Sequence, residues 1–585
     1  MFNRLVLTPN AYFYRVLKPI SKTAIIKMQA AAAVNKCGNF IYKTIRHSFK
    51  VGALDFELSL VVFKQEMLPP FLTAGAEKEL RYCYLLLVEY AQFLIISKTG
   101  ASECTTVIEG KIESLSYQEI SEFKITATTK IEKLSVSNLD TALGAMRRSA
   151  FEANDVKDTL STIGMGNKIV TVLKIKNQAK HSTIAPGTSR INDQSRREDL
   201  AQFCFWVAEQ CKSLSKFTPK PCYLDNFAEP LEFKKHIGKL KVVSVLFNFS
   251  AILEGLNDES VIGIDYLDSN GKSRDINLRL LSETNDLCLD IVYVKKSKRH
   301  WIQNSIDNSL ELKILKNGFR IHSTKLDRIR VHYTTGEIYP LDWLINKQNL
   351  FIIGFDAADI RYAQKTLFRD SRLLRNLPHF LKAFETDVVF NMISSEKGNC
   401  VAASKSFDSG CLFETIESKF ACDCDYLFCD DLGDEWADYI GFGKDKFIRF
   451  YHAKYSPKGF SASAFHDLVS QALKNIGNFN FDQNLNIKSK KVSDLYSGTK
   501  ISRLRIGKNA TSCVKDLHST YNNPKTLKEI VLVINFLSKR ELDSQLSLLA
   551  GGKAKNQTVQ ILWLLSSLFG TCLDKGIRVR ILTKP

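Results

Sequence analysis

The chain has 585 residues, 45% of them hydrophobic and 24% charged, with a formal net charge of +19 at pH 7. That length calls for two to four domains with ample core, and the composition is that of a globular protein, not a disordered or fibrous one. No uninterrupted apolar stretch reaches the roughly 18 residues a membrane span requires, so no membrane partner is expected. Taken in chain order, the first acidic residue is Asp55, and nine Lys/Arg precede it. This charge pattern resembles a transit peptide; a start at Met28 or a basic arm are the competing readings. Strands are predicted at Leu58 to Phe63, Phe93 to Ser97, Lys168 to Lys174, Val242 to Phe249 and Leu350 to Phe355. Helices are predicted at Asp199 to Gln210 and Ile360 to Asp370. The polar stretch 181–199 reads as a linker at a subdomain boundary. Its Arg190, Arg196 and Arg197 also fit a phosphate-wrapping loop. The Ser- and Gly-rich stretch from Ser394 to Gly410 reads as a linker into a third part. The expected division is therefore 1–225, 226–395 and 396–585, each of mixed α/β character. There is no GxxxxGK[ST] loop; Gly164-Met-Gly166-Asn-Lys168 is a faint echo of one.

The densest chemistry lies in residues 427–454, LFCDDLGDEWADYIGFGKDKFIRFYHAK. Five carboxylates, Asp430, Asp431, Asp434, Glu435 and Asp438, are followed by an apolar run, a turn, a second apolar run and His452-Ala453-Lys454. Hydrolysing a phosphodiester needs a divalent cation held by hard oxygen ligands and a nearby positive side chain. Two adjacent strands can deliver both, because residues two apart share a face. Ile448, Phe450, His452 and Lys454 share one face, as do Asp438, Ile440 and Phe442. A five-residue connection from Gly443 to Phe447 sets Asp438 opposite His452; a four-residue one pairs it with Tyr451 instead. A solvated acidic face is the competing reading, but Glu435 and Asp438 interrupt an apolar segment, which a solvated loop would not do. Asp430-Asp431-Leu-Gly-Asp434 spells DDxxD, yet Gly433 and the β-type residues after it argue for a loop and hairpin, not the long helix that motif needs.

Glu435-Trp-Ala-Asp438-Tyr-Ile followed by His452-Ala-Lys454 resembles the core of the PD-(D/E)XK restriction-endonuclease-like nucleases, most nearly a bacterial group with a GxExADxI … HxK … QA pattern. The resemblance covers roughly residues 410–585. It implies a restriction-like α/β sandwich, Mg2+ or Mn2+ as cofactor, and DNA, duplex in form, as substrate. It implies that Asp438 binds the metal and Lys454 assists the attacking water. His452 stands where an acid is usual. Neutral imidazole ligates a metal and suits Mn2+ better than Mg2+. Glu435, or upstream Glu417, would supply the missing carboxylate. Gln471, on the helix predicted after the lysine, matches a glutamine found there in several such nucleases; a solvated helix position is the alternative.

That helix is predicted over Ser461 to Gly477, with Ser461 or Ser463 as its cap. Glu529 to Ser538 reads as a buried strand, Thr558 to Gly576 as a helix apolar all round and therefore buried, and Arg578 to Leu582 as a last strand. Trp563 and Phe569 are accordingly expected in the core, not at a base-stacking surface. From residue 487 onward 18 Lys/Arg face 6 Asp/Glu, a basic excess beside the acidic motif, as a nucleic-acid footprint should be. Arg503, Arg505 and Lys508 are its predicted phosphate contacts. The 14 cysteines are scattered, without a disulfide framework, and read as reduced thiols in a cytoplasm, which the resemblance implies is bacterial. Cys411, Cys422, Cys424 and Cys429 have poor spacing for zinc. The expected function is a metal-dependent DNA endonuclease, in defence against foreign DNA by resemblance. The alternatives are a non-catalytic nucleic-acid-binding protein on a degenerate nuclease fold, and a toxin-like subunit regulated by a partner protein.

Overall fold

The computed structural model describes all residues except 68, 70–76, 140–146, 161–164, 195, 259, 276–287, 304–306, 308, 349, 358, 371–380, 480–484 and 550–551. It is a mixed α/β protein of two compact units, one made of 1–159 and 167–371, the other of 160–166 and 372–585.

The first unit is dominated by antiparallel strands. Residues 10–194 supply an eleven-stranded sheet, and residues 229–369 supply sheets of nine and four strands. Asn10–Val16, from the acid-free start of the chain, is an interior strand flanked by Phe93–Thr99 and Arg190–Gln194. All five strands predicted in this part are present, and Leu200–Ser215 is the predicted helix, capped by Asp199. Two readings are corrected. Ile360 to Asp370 is a hairpin of strands Ile360–Ala363 and Thr366–Arg369. Gln364 and Lys365 turn it with φ of 46° and 60°, the left-handed pair a two-residue hairpin needs to match strand twist. The stretch 181–199 is also a hairpin, Lys180–Ala185 against Arg190–Gln194, turned at Pro186–Thr188. Its polar residues alternate with buried Ile184 and Ile191, and that alternation is a strand's, not a linker's.

The second unit is built on one mixed sheet. Its strands are β1 Phe384–Thr386, β2 Tyr426–Cys429, β3 Tyr439–Gly443, β4 Phe447–Lys454, β5 Leu504–Ile506, β6 Leu527–Ser538 and β7 Ile577–Lys584, in the order β1-β7-β6-β4-β3-β2-β5. The run β2-β3-β4 is an antiparallel meander, whereas β4, β6, β7 and β1 are parallel. Parallel neighbours need a crossover. Helix α1, Ala462–Asn475, begins the crossover from β4 to β6, capped by Ser461, whose hydroxyl accepts the Ala464 N–H. Helices α2 Leu485–Ser493 and α3 Ala510–Asn522 follow, and α4 Lys539–Leu549 and α5 Asn556–Asp574 join β6 to β7.

Alternation along the strands makes two cores. Ile448, Phe450, Leu532 and Ile534 face α1, α3, α4 and α5. Tyr451, Ala453, Val531 and Val533 face a layer containing Phe407, Phe413, Ile416 and Tyr496. Helix α5 is not buried all round. Ile561, Leu562, Leu565 and Leu568 reach the core, while Val559 and Trp563 are 54% and 66% exposed. One-sided packing on a sheet uses one stripe of a helix, and this helix carries apolar residues beyond that stripe. The stretch from Ser394 to Gly410 is packed, not a free linker: Leu412 and Phe413 N–H groups donate to the carbonyls of Ser395 and Glu396, and Phe407 is buried.

Candidate functional site

The hairpin register runs from Gly443 opposite Phe447 to Tyr439 opposite Tyr451. Continued by one step it sets Asp438 opposite His452. The ladder breaks there instead. The Asp438 N–H donates to the Tyr451 carbonyl at 3.0 Å, so two consecutive residues address Tyr451, as at a β-bulge. The bulge re-aims the side chain. One Asp438 carboxylate oxygen accepts the Ala453 N–H at 2.7 Å, the peptide between His452 and Lys454. Its charged neighbours are Asp431, Glu396 and Lys397. Burial, then the charges of Asp431 and Glu396, push the Asp438 carboxyl well above the usual carboxylate range, against the Ala453 N–H and Lys397.

Each neighbour is held in turn. Asp431 accepts the Tyr496 hydroxyl at 2.7 Å and pairs with the Lys397 ammonium at 2.7 Å. Lys397 lies 5.3 Å from the Phe413 ring centroid and 3.9 Å from Glu396. Burial works against its charge, but the bond to Asp431, with Asp438 and Glu396 behind it, outweighs burial and holds its pKa above the ordinary value. Glu396 accepts the Tyr455 N–H at 3.2 Å, one residue past Lys454. Three carboxylates thus share one lysine at the end of the meander.

Several predicted site residues do not join them. His452 is 2% exposed, and among the described residues its Nε2 has no hydrogen-bond partner. Burial alone pushes it down to about 4. By alternation it belongs with Ile448 and Phe450 on the helix face, whereas the bulge turns Asp438 toward the opposite layer. Lys454 shares the His452 face at the strand end, half-buried, and among the described residues it forms no ion pair. Glu435 accepts the Leu432 N–H at 3.2 Å and closes its own turn. Gln471 is exposed on α1, because the helix buries Leu468, Val469 and Ala472 instead. Glu417 is bound by Arg505 at 2.7 and 2.9 Å and by the Tyr439 hydroxyl.

Asp430 is structural. It is fully buried, accepts the Trp436 N–H at 2.7 Å and takes the buried Lys488 ammonium on both oxygens, at 2.9 and 2.8 Å. Arg503 is also buried and donates to the carbonyls of Cys429 and Asp431, so it ties the acidic loop and is not a phosphate contact. With Arg505 committed to Glu417, Lys508 alone of that trio is exposed.

Glu396, Lys397, Asp431 and Tyr496 are the site residues that sequence reasoning missed. Asp431 stood in the acidic run, but nothing distinguished it from Asp430. Glu396-Lys397, the one acid–base pair in a Ser/Gly stretch, was the available signal.

The carboxylates near Asp438 are those of Asp431 and Glu396, hard oxygen donors of the kind Mg2+ and Mn2+ take, but the ligand atoms of the three do not all lie within 4.8 Å of one another. Among the described residues, one trio of possible ligands closes to within 4.8 Å, and it is Glu122, Cys222 and Asp225 in the first unit. Cys222 and Asp225 are drawn together by reciprocal capping of the short helix Tyr223–Asn226. Burial, then Glu122, raises the Cys222 thiol to about 12. The thirteen cysteines described are free thiols, and no described helix is long and apolar enough to cross a membrane. Comparison with protein-family models, with curated proteins and with solved structures finds no match for this chain.

Proposed function

We propose that the second unit is a divalent-metal-dependent nuclease acting on DNA, with Asp438 as its central metal-binding carboxylate. The observation that carries this reading is the buried Asp438 carboxylate at the bulge, which accepts the Ala453 N–H at 2.7 Å with Asp431, Glu396 and Lys397 as its charged neighbours. A carboxyl forced upward by burial and by Asp431 and Glu396 is relieved by any added cation, and such shifts mark functional sites. A meander followed by a helix crossover to a parallel strand agrees with the resemblance, whereas the pairing of Asp438 with Lys454 that it implies does not form, because Lys454 lies on the helix face and Asp438 on the other. A bound Mg2+ or Mn2+ supplies Lewis acidity and an activated water. Asp438 and Glu396 are the residues that would hold it. Tyr496 fixes Asp431, and Lys397, which compensates the acids, would be the positive side chain nearest a substrate phosphate there. Lys454 lies at the same strand end but on the opposite face of the sheet from Asp438. By resemblance, the setting is defence against foreign DNA in a bacterial cytoplasm.

The test is plasmid cleavage with Mg2+ or Mn2+ by the intact chain and by Asp438→Asn. Cleavage that falls at least about 100-fold in the variant supports the reading; such losses are typical of a positioned catalytic group. Equal cleavage by both ends it. A second reading, a nucleic-acid-binding protein without catalysis, is favoured by the buried and unpartnered His452. It predicts DNA binding with no cleavage in either metal.

A further inference from the structure

The exposed apolar stripe of α5 faces the start of α1 across an open groove of about 540 Å³, lined by Ala462, Ser463, His466, Val559, Gln560 and Trp563. Its size falls in the range of small-ligand sites, about 300–1,000 Å³. Its largest wall is Trp563, 66% exposed, with Val559 one turn before it.

The position of the groove points to the occupant. The connection from β4 to α1 is pinned to β6: Ser456 N–H donates to the Asn535 side chain at 2.8 Å, and Phe460 N–H to the Phe536 carbonyl at 2.6 Å. Lys555, at the start of α5, lies 5.0 Å from the Phe460 ring centroid. Both helices therefore begin at the carboxyl end of β4 and β6. That is the end that carries Lys454 and the peptide gripped by Asp438, and the end where ligands of parallel sheets bind.

The charge is complementary to a polyanion. His466 lines the groove, and Lys458, Lys553 and Lys555 are exposed on the segments that lead into α1 and α5, Lys555 beside Phe460. Two acids oppose them: Glu541, 2.9 Å from Lys555, and Asp467, 3.8 Å from His466. Ser463, Gln560 and His466 offer hydrogen-bonding groups beside the apolar wall. An aromatic face with cations around it is how single strands are held without sequence preference.

We infer that this groove takes an unpaired nucleobase of a DNA strand, stacked on Trp563, with the lysines on its phosphates. The inference rests on the nuclease reading for its ligand class and adds single-stranded or locally opened DNA as the form engaged.

The probe is oligothymidylate titrated into the intact chain in EDTA, followed by tryptophan fluorescence and by filter binding. The expected result is quenching that Trp563→Phe removes. Trp563→Ala should weaken oligothymidylate binding about tenfold, the size of losing one stacked base, while leaving duplex affinity within about twofold. Because Trp563 is on the surface, both variants should keep the parent's thermal midpoint, and Val559→Glu provides an independent lesion with the same expected loss. Undiminished oligothymidylate binding in Trp563→Ala and Val559→Glu overturns the inference. If Asp438-dependent cleavage persists in those variants, the nuclease reading stands without it. An intact chain that neither binds nor cleaves DNA overturns both. A chain that binds no oligonucleotide but self-associates through Trp563 gives the groove to a second copy and also overturns the inference.

Discussion

The Asp430–Lys488 pair allows the division of labour within the acidic run to be measured. Asp430 is 0% exposed and Lys488 is equally buried. Asp430→Ala removes both oxygens from the ammonium and the acceptor of the Trp436 N–H. Breaking a buried pair by removing one partner costs about 3–5 kcal/mol, and an orphaned buried N–H adds about 1–3 kcal/mol. The two losses overlap, so the expected cost is about 4–6 kcal/mol, most of the stability of an ordinary domain. Urea unfolding of the intact chain measures it. Trp436 reports locally, since Lys488 lies 4.7 Å from its ring centroid. The double variant Asp430→Leu with Lys488→Met should recover at least half the loss, because it removes both charges and leaves neither buried alone. A loss below about 1 kcal/mol in Asp430→Ala would refute the reasoning and return Asp430 to the candidate site.

Four further outcomes are expected. His452 is pushed from 6.5 to about 4 by burial. The neutral form is therefore favoured by folding, and stability present above pH 6.5 is lost as pH falls toward 4, by about 3 kcal/mol at 1.36 kcal/mol per unit. His452→Met should flatten that part of a stability–pH curve measured by urea unfolding. Asp438 has the opposite sign. Its raised carboxyl favours the fold at low pH, and that contribution is lost as pH rises through its folded value. Asp438→Asn should thus be at least as stable as the parent at pH 8 and gain no thermal stabilisation from Mn2+, whereas the parent, at 100 times its Kd, should gain about 2.7 kcal/mol. Arg503→Gln should cost about 2–4 kcal/mol of stability by orphaning two buried carbonyls. Lys508→Gln should leave stability unchanged and lower the salt slope of duplex binding by at most about 0.9.

The hairpin of β3 and β4 was legible because its apolar residues alternate and Gly443 marks the turn; the register followed from counting. What counting missed was the bulge at Asp438. It arises from hydrogen bonds made by Asp430 and Asp431, whose N–H groups both donate to the Asp438 carbonyl, and a period-two pattern carries no trace of such long-range ties. Glu396 and Lys397 were hidden for a related reason. Their neighbours in sequence look like a linker, and their role comes from packing beside Phe413 and Tyr455. The basic excess misled in its detail. Arg503 and Arg505 were counted as free charge, but the fold uses them to satisfy carbonyls and Glu417. The apolar composition of α5 was read correctly, yet composition does not say that only one stripe would be covered.

The mixed sheet also dictates an order of assembly. β2, β3 and β4 are joined by short connections and can form early, whereas β4 meets β6 only after the segment containing α1, α2 and α3 has been ordered. Non-local parallel pairing of this kind is slow, because the entropy of closing the loop must be met before the contacts repay it. Glu396, Asp431, Asp438 and Tyr496 come from segments spread across a hundred residues, and Tyr496 and Lys488 both lie in that late segment. A chain that has made its meander but not its crossover has Asp430 without Lys488 and Asp431 without Tyr496. Its carboxylates are then unconstrained, and the cluster around Asp438 takes its shape only once the unit is complete.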